Sequence, residues 1–79
     1  MNTLQIVNSF CGFNSFLPTK LYTTNNNWTV VKYDKTERKE YNSFLRSLHK
    51  SKIFKLNKIK VVLDPLNNQV GFSPKGYRG

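Results

Sequence analysis

Only one stretch of the chain has an unambiguous hydrophobic period. In residues 34–51, DKTERKEYNSFLRSLHKS, the side chains Tyr41, Phe44, Leu45 and Leu48 recur at i, i+3, i+4 and i+7. At ~3.6 residues per turn this spacing gathers them on one face of an α-helix. Asp34 is placed to accept from the first free amides, and Glu37 three residues later completes a D-x-x-E form of the capping box. Lys35, Lys39, Arg46 and Lys50 fall in a narrow stripe opposite the apolar one, while Glu37 and Glu40 project elsewhere. The predicted helix thus has a core-facing side and a cationic side, and its ~22 Å rise from Lys35 to Lys50 spans several phosphates.

Alternating segments flank it. Residues 20–24 and 28–33, KLYTT and WTVVKY, have the β-branched and aromatic content of strands, and Asn25, Asn26 and Asn27 between them suit a hairpin loop. Residues 58–64 place Ile59, Val61 and Leu63 on one face and Lys58, Lys60 and Val62 on the other. Pro65 with Asn67 and Asn68 marks a turn, after which Val70 and Phe72 share a side of a short returning strand. Residues 52–57 read as a connection whose Phe54 and Leu56 cover the core edge. The pattern predicts an α+β domain: hairpin, helix, hairpin, with one amphipathic helix packed on a small antiparallel sheet.

The ends are less regular. Leu4–Val7 has the composition to start a short strand, but polar and Gly residues follow at once. Phe10, Phe13 and Phe16 suit either a loose helix or an irregular arm over residues 1–17. The weightier reading packs these rings on the protein's own core, and the alternative makes them anchors into a protein partner. Residues 74–79, PKGYRG, have the composition of a mobile basic tail, in which Lys75, Tyr77 and Arg78 are suited to order on a polyanion.

Charge narrows the class of partner. Thirteen Lys and Arg against four acids give a formal charge of +9 over 79 residues, a self-repulsion that an anionic partner relieves. Nucleic acid is the commonest such partner for a folded basic module. All the cations except Arg38, Arg46 and Arg78 are Lys, which suits neutralisation of phosphates better than bidentate reading of base edges. Aromatic residues make up 14% of the chain and must supply much of its core. One residue is ambiguous. If the helix covers Val31, Tyr33, Ile59, Val61 and Leu63, then Trp28, Lys32, Lys58 and Lys60 share an open sheet face, a stacking platform for single-stranded nucleic acid. Burial of Trp28 in the core is the somewhat weightier reading.

Chemistry beyond binding has little support. His49 is the only histidine and lies between the two helix stripes, where a half-exposed structural role is the simpler reading. The acids lack metal-ligand spacing, three of them cluster where they complement a helix N-terminus, and no glycine-rich phosphate loop occurs. The expectation is a protein without catalytic activity, metal or cofactor. Cys11 is alone, so no intramolecular disulfide or cysteine zinc site is expected, and a reducing compartment, cytoplasm or organelle interior, fits best. No apolar run approaches the ~18 residues of a membrane span, and no secretory signal pattern opens the chain.

Val30-Val31-Lys32-Tyr33-Asp34, the charged helix with Phe44 and Leu48, and Lys58-Ile59-Lys60-Val61-Val62 together loosely resemble the small linker domain of phycobilisomes. The likeness covers about half the chain. It departs at Leu56-Asn57-Lys58, where that family has Gly-Gly-Lys, and residues 1–17 do not match. The resemblance implies a structural linker that binds acidic protein.

Three functions follow in order of preference. The first is a basic accessory protein that binds nucleic acid, RNA ahead of DNA, as in a small ribonucleoprotein or ribosomal component. Its contacts would be Lys35, Lys39, Arg46, Lys50, Lys58, Lys60, Lys75 and Arg78, with Trp28 stacking. The second is a linker or scaffold anchored by Phe10, Phe13 and Phe16, and the third is a phage or mobile-element inhibitor of a host protein.

Overall fold

The computed structural model of the protein describes residues 2–13 and 15–73. In chain order these form α1 (Thr3–Phe13), β1 (Lys20–Thr23), β2 (Thr29–Lys32), a 3-10 turn (Lys35–Glu37), α2 (Arg38–Lys50), α3 (Ile53–Leu56), β3 (Lys60–Asp64), a second 3-10 turn (Pro65–Asn67) and β4 (Gln69–Ser73). The strands make one antiparallel sheet in the order β1-β2-β4-β3. The architecture is α+β with helix packed on sheet, and both expected hairpins are present. In the first, Thr24 N–H donates to Trp28 O at 2.8 Å and Asn27 adopts φ 64°, the left-handed third residue that a three-residue loop requires.

The N-terminal segment is helical from Thr3, so the short strand expected at residues 4–7 does not form. Asn2 Oδ1 accepts from Gln5 N–H at 2.8 Å, and Gln5 Oε1 accepts from Asn2 N–H at 3.0 Å. This is a complete reciprocal capping box, with Asn and Gln in its two roles. Ile6, Val7, Phe10 and Cys11 then form the buried face of α1. The far end closes with Ser15 N–H donating to Gly12 O and Phe16 N–H to Cys11 O, Ser15 standing at φ 59°. That pattern is a Schellman stop, and the accompanying apolar contact is the stacking of Phe16 on Phe10 at 6.3 Å.

Phe44 of α2 is fully buried and central to the core. Its ring lies 5.6 Å from Phe10, 5.7 Å from Phe16, 5.9 Å from Tyr33 and 6.5 Å from Phe72. α1 and α2 therefore share one cluster with Val31 and Val70 on one face of the sheet. Truncating a buried ring of this kind typically removes ~3–5 kcal/mol. Phe54 belongs to the same cluster, 4.8 Å from Phe72, whereas Leu56 is exposed, contrary to expectation. The residues expected to be a bare connection contain α3, which turns Phe54 inward and Leu56 outward.

The start of α2 differs in detail from its sequence pattern. Asp34 Oδ1 accepts from Lys35 N–H at 2.7 Å, but Glu37 does not reach the Asp34 amide. Asp34 N–H instead donates to Thr19 Oγ1 at 3.1 Å, and the Thr19 hydroxyl donates to Glu37 Oε1 at 2.8 Å. The box is relayed through a hydroxyl from the segment before β1. Because residues 35–37 are a 3-10 turn, the α-helical register begins only at Arg38. Arg38 Nη1 donates to Pro65 O at 2.8 Å and to Asn68 Oδ1 at 2.6 Å, and Asn68 Nδ2 donates to Asp34 O at 3.2 Å. Buried Asn68, at φ 49°, thus ties the β3–β4 turn to the helix entrance.

Candidate nucleic-acid interface

Antiparallel register determines which side chains share a face. Leu21, Val31, Val70 and Leu63 lie level across the strands, as do Thr23, Thr29, Phe72 and Val61. These rows belong to the side on which the helices pack. The opposite face carries Tyr22, Val30, Gly71 and Val62 in one row and Lys20, Lys32, Gln69 and Asp64 in the next. Beyond them Lys60 lies level with Ser73, and Trp28, one residue before β2, continues the same alternation.

Trp28 is therefore on the face turned away from the helices, half-buried, and outside the core cluster. The physical reason is Gly71. A Cβ at that position would stand 3.1 Å from Trp28 Cε3 and 3.4 Å from Cζ3, so the indole occupies the space that the missing side chain leaves. Beside it is a hollow of about 350 Å³ bounded by Asn26, Trp28, Val30, Val62, Asp64 and Gln69, among others. On the same face of the sheet Tyr22, Lys20, Lys32 and Lys60 are exposed, while Val30, which lines the hollow, and Ser73 are buried. Strand spacing and rise put the Lys32 and Lys60 Cα atoms roughly 16 Å apart.

No known family, curated protein or solved structure matches this chain. Aromatic rings bordered by Lys, with the amides of Asn26 and Gln69 able to donate and accept, suit unstacked bases carried on a phosphate backbone.

The remaining expected residues are dispersed. Lys39, Arg46 and Lys50 are exposed along the outward side of α2, on the far side of the sheet from Trp28. Lys35 is exposed too but sits in the 3-10 turn, outside the α-helical register. Lys58 is not in a strand. It has φ 56°, with its N–H donating to Lys55 O and the Ile59 N–H to Phe54 O, so it terminates α3. Lys75, Tyr77 and Arg78 lie outside the described residues. The cations therefore lie on two separate surfaces, the outward side of α2 and the Trp28 face of the sheet, as the sequence pattern suggested, but without Lys58 on the sheet face. Sequence reasoning missed that Asn26 and Gln69 line the hollow beside Trp28 and that Lys20 and Tyr22 share its face of the sheet. Alternation within the first hairpin would have placed Lys20 and Tyr22 on its face.

The three phenylalanines also divide. Phe10 is buried, and Phe16 is half-buried against the core. Both are held by the α1 stop and are unavailable as anchors. Phe13 alone projects, 89% exposed, at the wall of a depression of about 550 Å³ formed with Ser9, Ser47, Lys50 and Ile53. His49 is exposed rather than half-exposed.

Cys11 is buried, and burial pushes its thiol up from 9.0 to about 11. Tyr33 and Tyr41 are raised above the ordinary phenol value, first by burial. Neither the thiol nor these phenols is poised as a nucleophile or base near neutral pH. Among the described residues no helix is long and apolar enough to cross a membrane.

Proposed function

We propose that this protein binds single-stranded nucleic acid, RNA ahead of DNA, on the face of its sheet that carries Trp28, without catalysing a reaction. The observation that carries the reading is that Trp28 and Tyr22 share one face of the sheet with Lys20, Lys32 and Lys60, in a chain of charge +9. Bases stack on the rings, and Lys20, Lys32 and Lys60 neutralise phosphates as the strand crosses the sheet. Asn26 and Gln69 face base edges and, in RNA, the 2′-hydroxyl. A small accessory role in a ribonucleoprotein is in keeping with this. The linker reading retains Phe13 alone of its three anchors, and nothing further favours it or the inhibitor reading.

Titration of a labelled oligouridine of about ten nucleotides at several salt concentrations tests this. Three neutralised phosphates predict that log K falls with log[salt] with a slope of about −2. Lys20→Glu with Lys32→Glu should abolish binding. Trp28→Ala should weaken it by about 1–3 kcal/mol. Lys39→Glu with Arg46→Glu should have the smaller effect. Absence of binding at low salt refutes the proposal, and loss only with the α2 pair moves the site to the helix.

A further inference from the structure

Among the described residues no strand pairs with the outer edge of β3, and that edge has an unusual combination of features. Tyr33 N–H donates to Asn68 O at 2.9 Å, continuing the β2–β4 register. Antiparallel hydrogen bonding alternates along a strand, so residues 68, 70 and 72 bond toward β2, and 69, 71 and 73 toward β3. Through the β3–β4 register, Lys60, Val62 and Asp64 bond inward. The N–H and C=O groups of Val61 and Leu63 consequently point out of the sheet edge. Soluble proteins usually blunt such an edge with charge, Pro or a bulge. Here Val61, Val62 and Leu63 are consecutive and 37%, 41% and 44% exposed, with charge only at the ends, Lys60 and Asp64.

On the helix side, Val61 and Leu63 open into an apolar groove of about 410 Å³ shared with Leu45, Leu48, Phe54 and Ile59. Ile59 is buried in the core cluster but Val61 and Leu63 are exposed, contrary to the expectation that all three lie under the helix.

We infer that β3 is a self-association edge, pairing antiparallel with β3 of a second copy in the register that sets Val62 opposite itself. Three independent requirements meet there. Outward-pointing Val61 falls opposite outward-pointing Leu63 of the partner subunit, so the two copies exchange four main-chain hydrogen bonds. Lys60 falls opposite Asp64 of the partner subunit, and the two-fold repeats that opposite-charge pair. Val61 and Leu63 from both copies also meet on the helix side, joining the two grooves. A shift of one residue sets inward-bonded groups against outward ones, and a shift of two sets Lys60 opposite an apolar residue. Asp64 Oδ2 accepts from Asn67 Nδ2 at 2.9 Å, which leaves its other oxygen for the partner.

The product is one continuous eight-stranded sheet with both Trp28 faces on the same side. The inference does not rest on nucleic-acid binding. Lys52 and Lys55 border each groove, and a five-residue seam is small beside the ~1,200 Å² of stable interfaces. The dimer is accordingly weak, with a Kd on the order of 10–100 µM, and tighter at moderate salt, where net repulsion is screened.

Sedimentation of the full chain from about 10 µM to about 1 mM, without nucleic acid, tests the inference. The wild type should pass from monomer to dimer. Val61→Pro removes an outward N–H without touching the β3–β4 ladder, so it should remain folded by circular dichroism and stay monomeric. Lys60→Glu or Asp64→Lys alone should raise the Kd at least about fivefold, and the two together should restore it. That charge exchange decides the matter even if the Pro variant fails to fold. A wild type monomeric at the top concentration overturns the inference and leaves the edge to a strand from an acidic protein. A dimer insensitive to these changes overturns it as well.

Discussion

At the scale of single residues, burial decides chemistry. The lone thiol, Cys11, lies inside the α1 face, and lack of hydration raises it from 9.0 to about 11. In the unfolded chain the thiol loses its proton near its ordinary value, while the folded chain retains it to about 11. Stability is therefore full below pH 9 and falls as pH rises through that window, by up to ~2–3 kcal/mol. Urea titrations near pH 7, 9 and 10 should show this loss, and Cys11→Ala should flatten it up to about pH 10, above which tyrosines ionise in the unfolded chain while buried Tyr33 and Tyr41 stay protonated. Burial also separates residues that look alike in the sequence. Phe10, Phe13 and Phe16 share a spacing, yet only Phe13 is exposed, because the Schellman stop at Ser15 folds Phe16 back onto Phe10. Nothing within the triplet distinguishes them without the location of that stop.

At the scale of elements, α1 and α3 end on backbone conformations that their residues do not favour. Ser15 and Lys58 occupy left-handed positions after α1 and α3, where Gly is preferred. Ser15→Gly and Lys58→Gly should each stabilise the fold by about 0.5–1 kcal/mol, seen as a higher urea midpoint. The Lys58 variant also separates conformation from charge, since its cation lies apart from the Trp28 face. The strands, both hairpins and α2 were legible because alternation, Asn-rich turns and the 41-44-45-48 stripe are strong local signals. α1 was less so. Its N-terminal signal is Asn2-x-x-Gln5 rather than the commoner Ser or Thr with Glu, and part of its buried face is Cys11, which a count of aliphatic periodicity undervalues. The Asp34 to Glu37 pattern identified a real helix start, but the bonding passes through Thr19, a contact across sequence that no local window contains.

For the whole molecule, charge and topology act together. Thirteen cations against four acids make the folded chain self-repelling, so its thermal midpoint should rise as salt increases from about 0.02 to about 0.5 M, while nucleic-acid affinity falls over the same range. Thermal melts and binding titrations in matched buffers would reveal the opposite signs. The candidate site was legible only in part. Alternation placed Trp28, Lys32 and Lys60 on one face of the sheet, but the pairing of β2 with β4 is long-range, and it is this pairing that brings Gln69 and Gly71 beside Trp28. Glycine at 71 has a further consequence. The chain has a single tryptophan, and its indole bridges from the first hairpin onto the strand of the second that holds the sheet together. Its emission thus has one source and two triggers: a ring stacking on the Trp28 face of the sheet should quench it, and separation of β2 from β4 should shift it to the red. Ligand occupancy and opening of the central seam can then be followed optically in the unmodified protein.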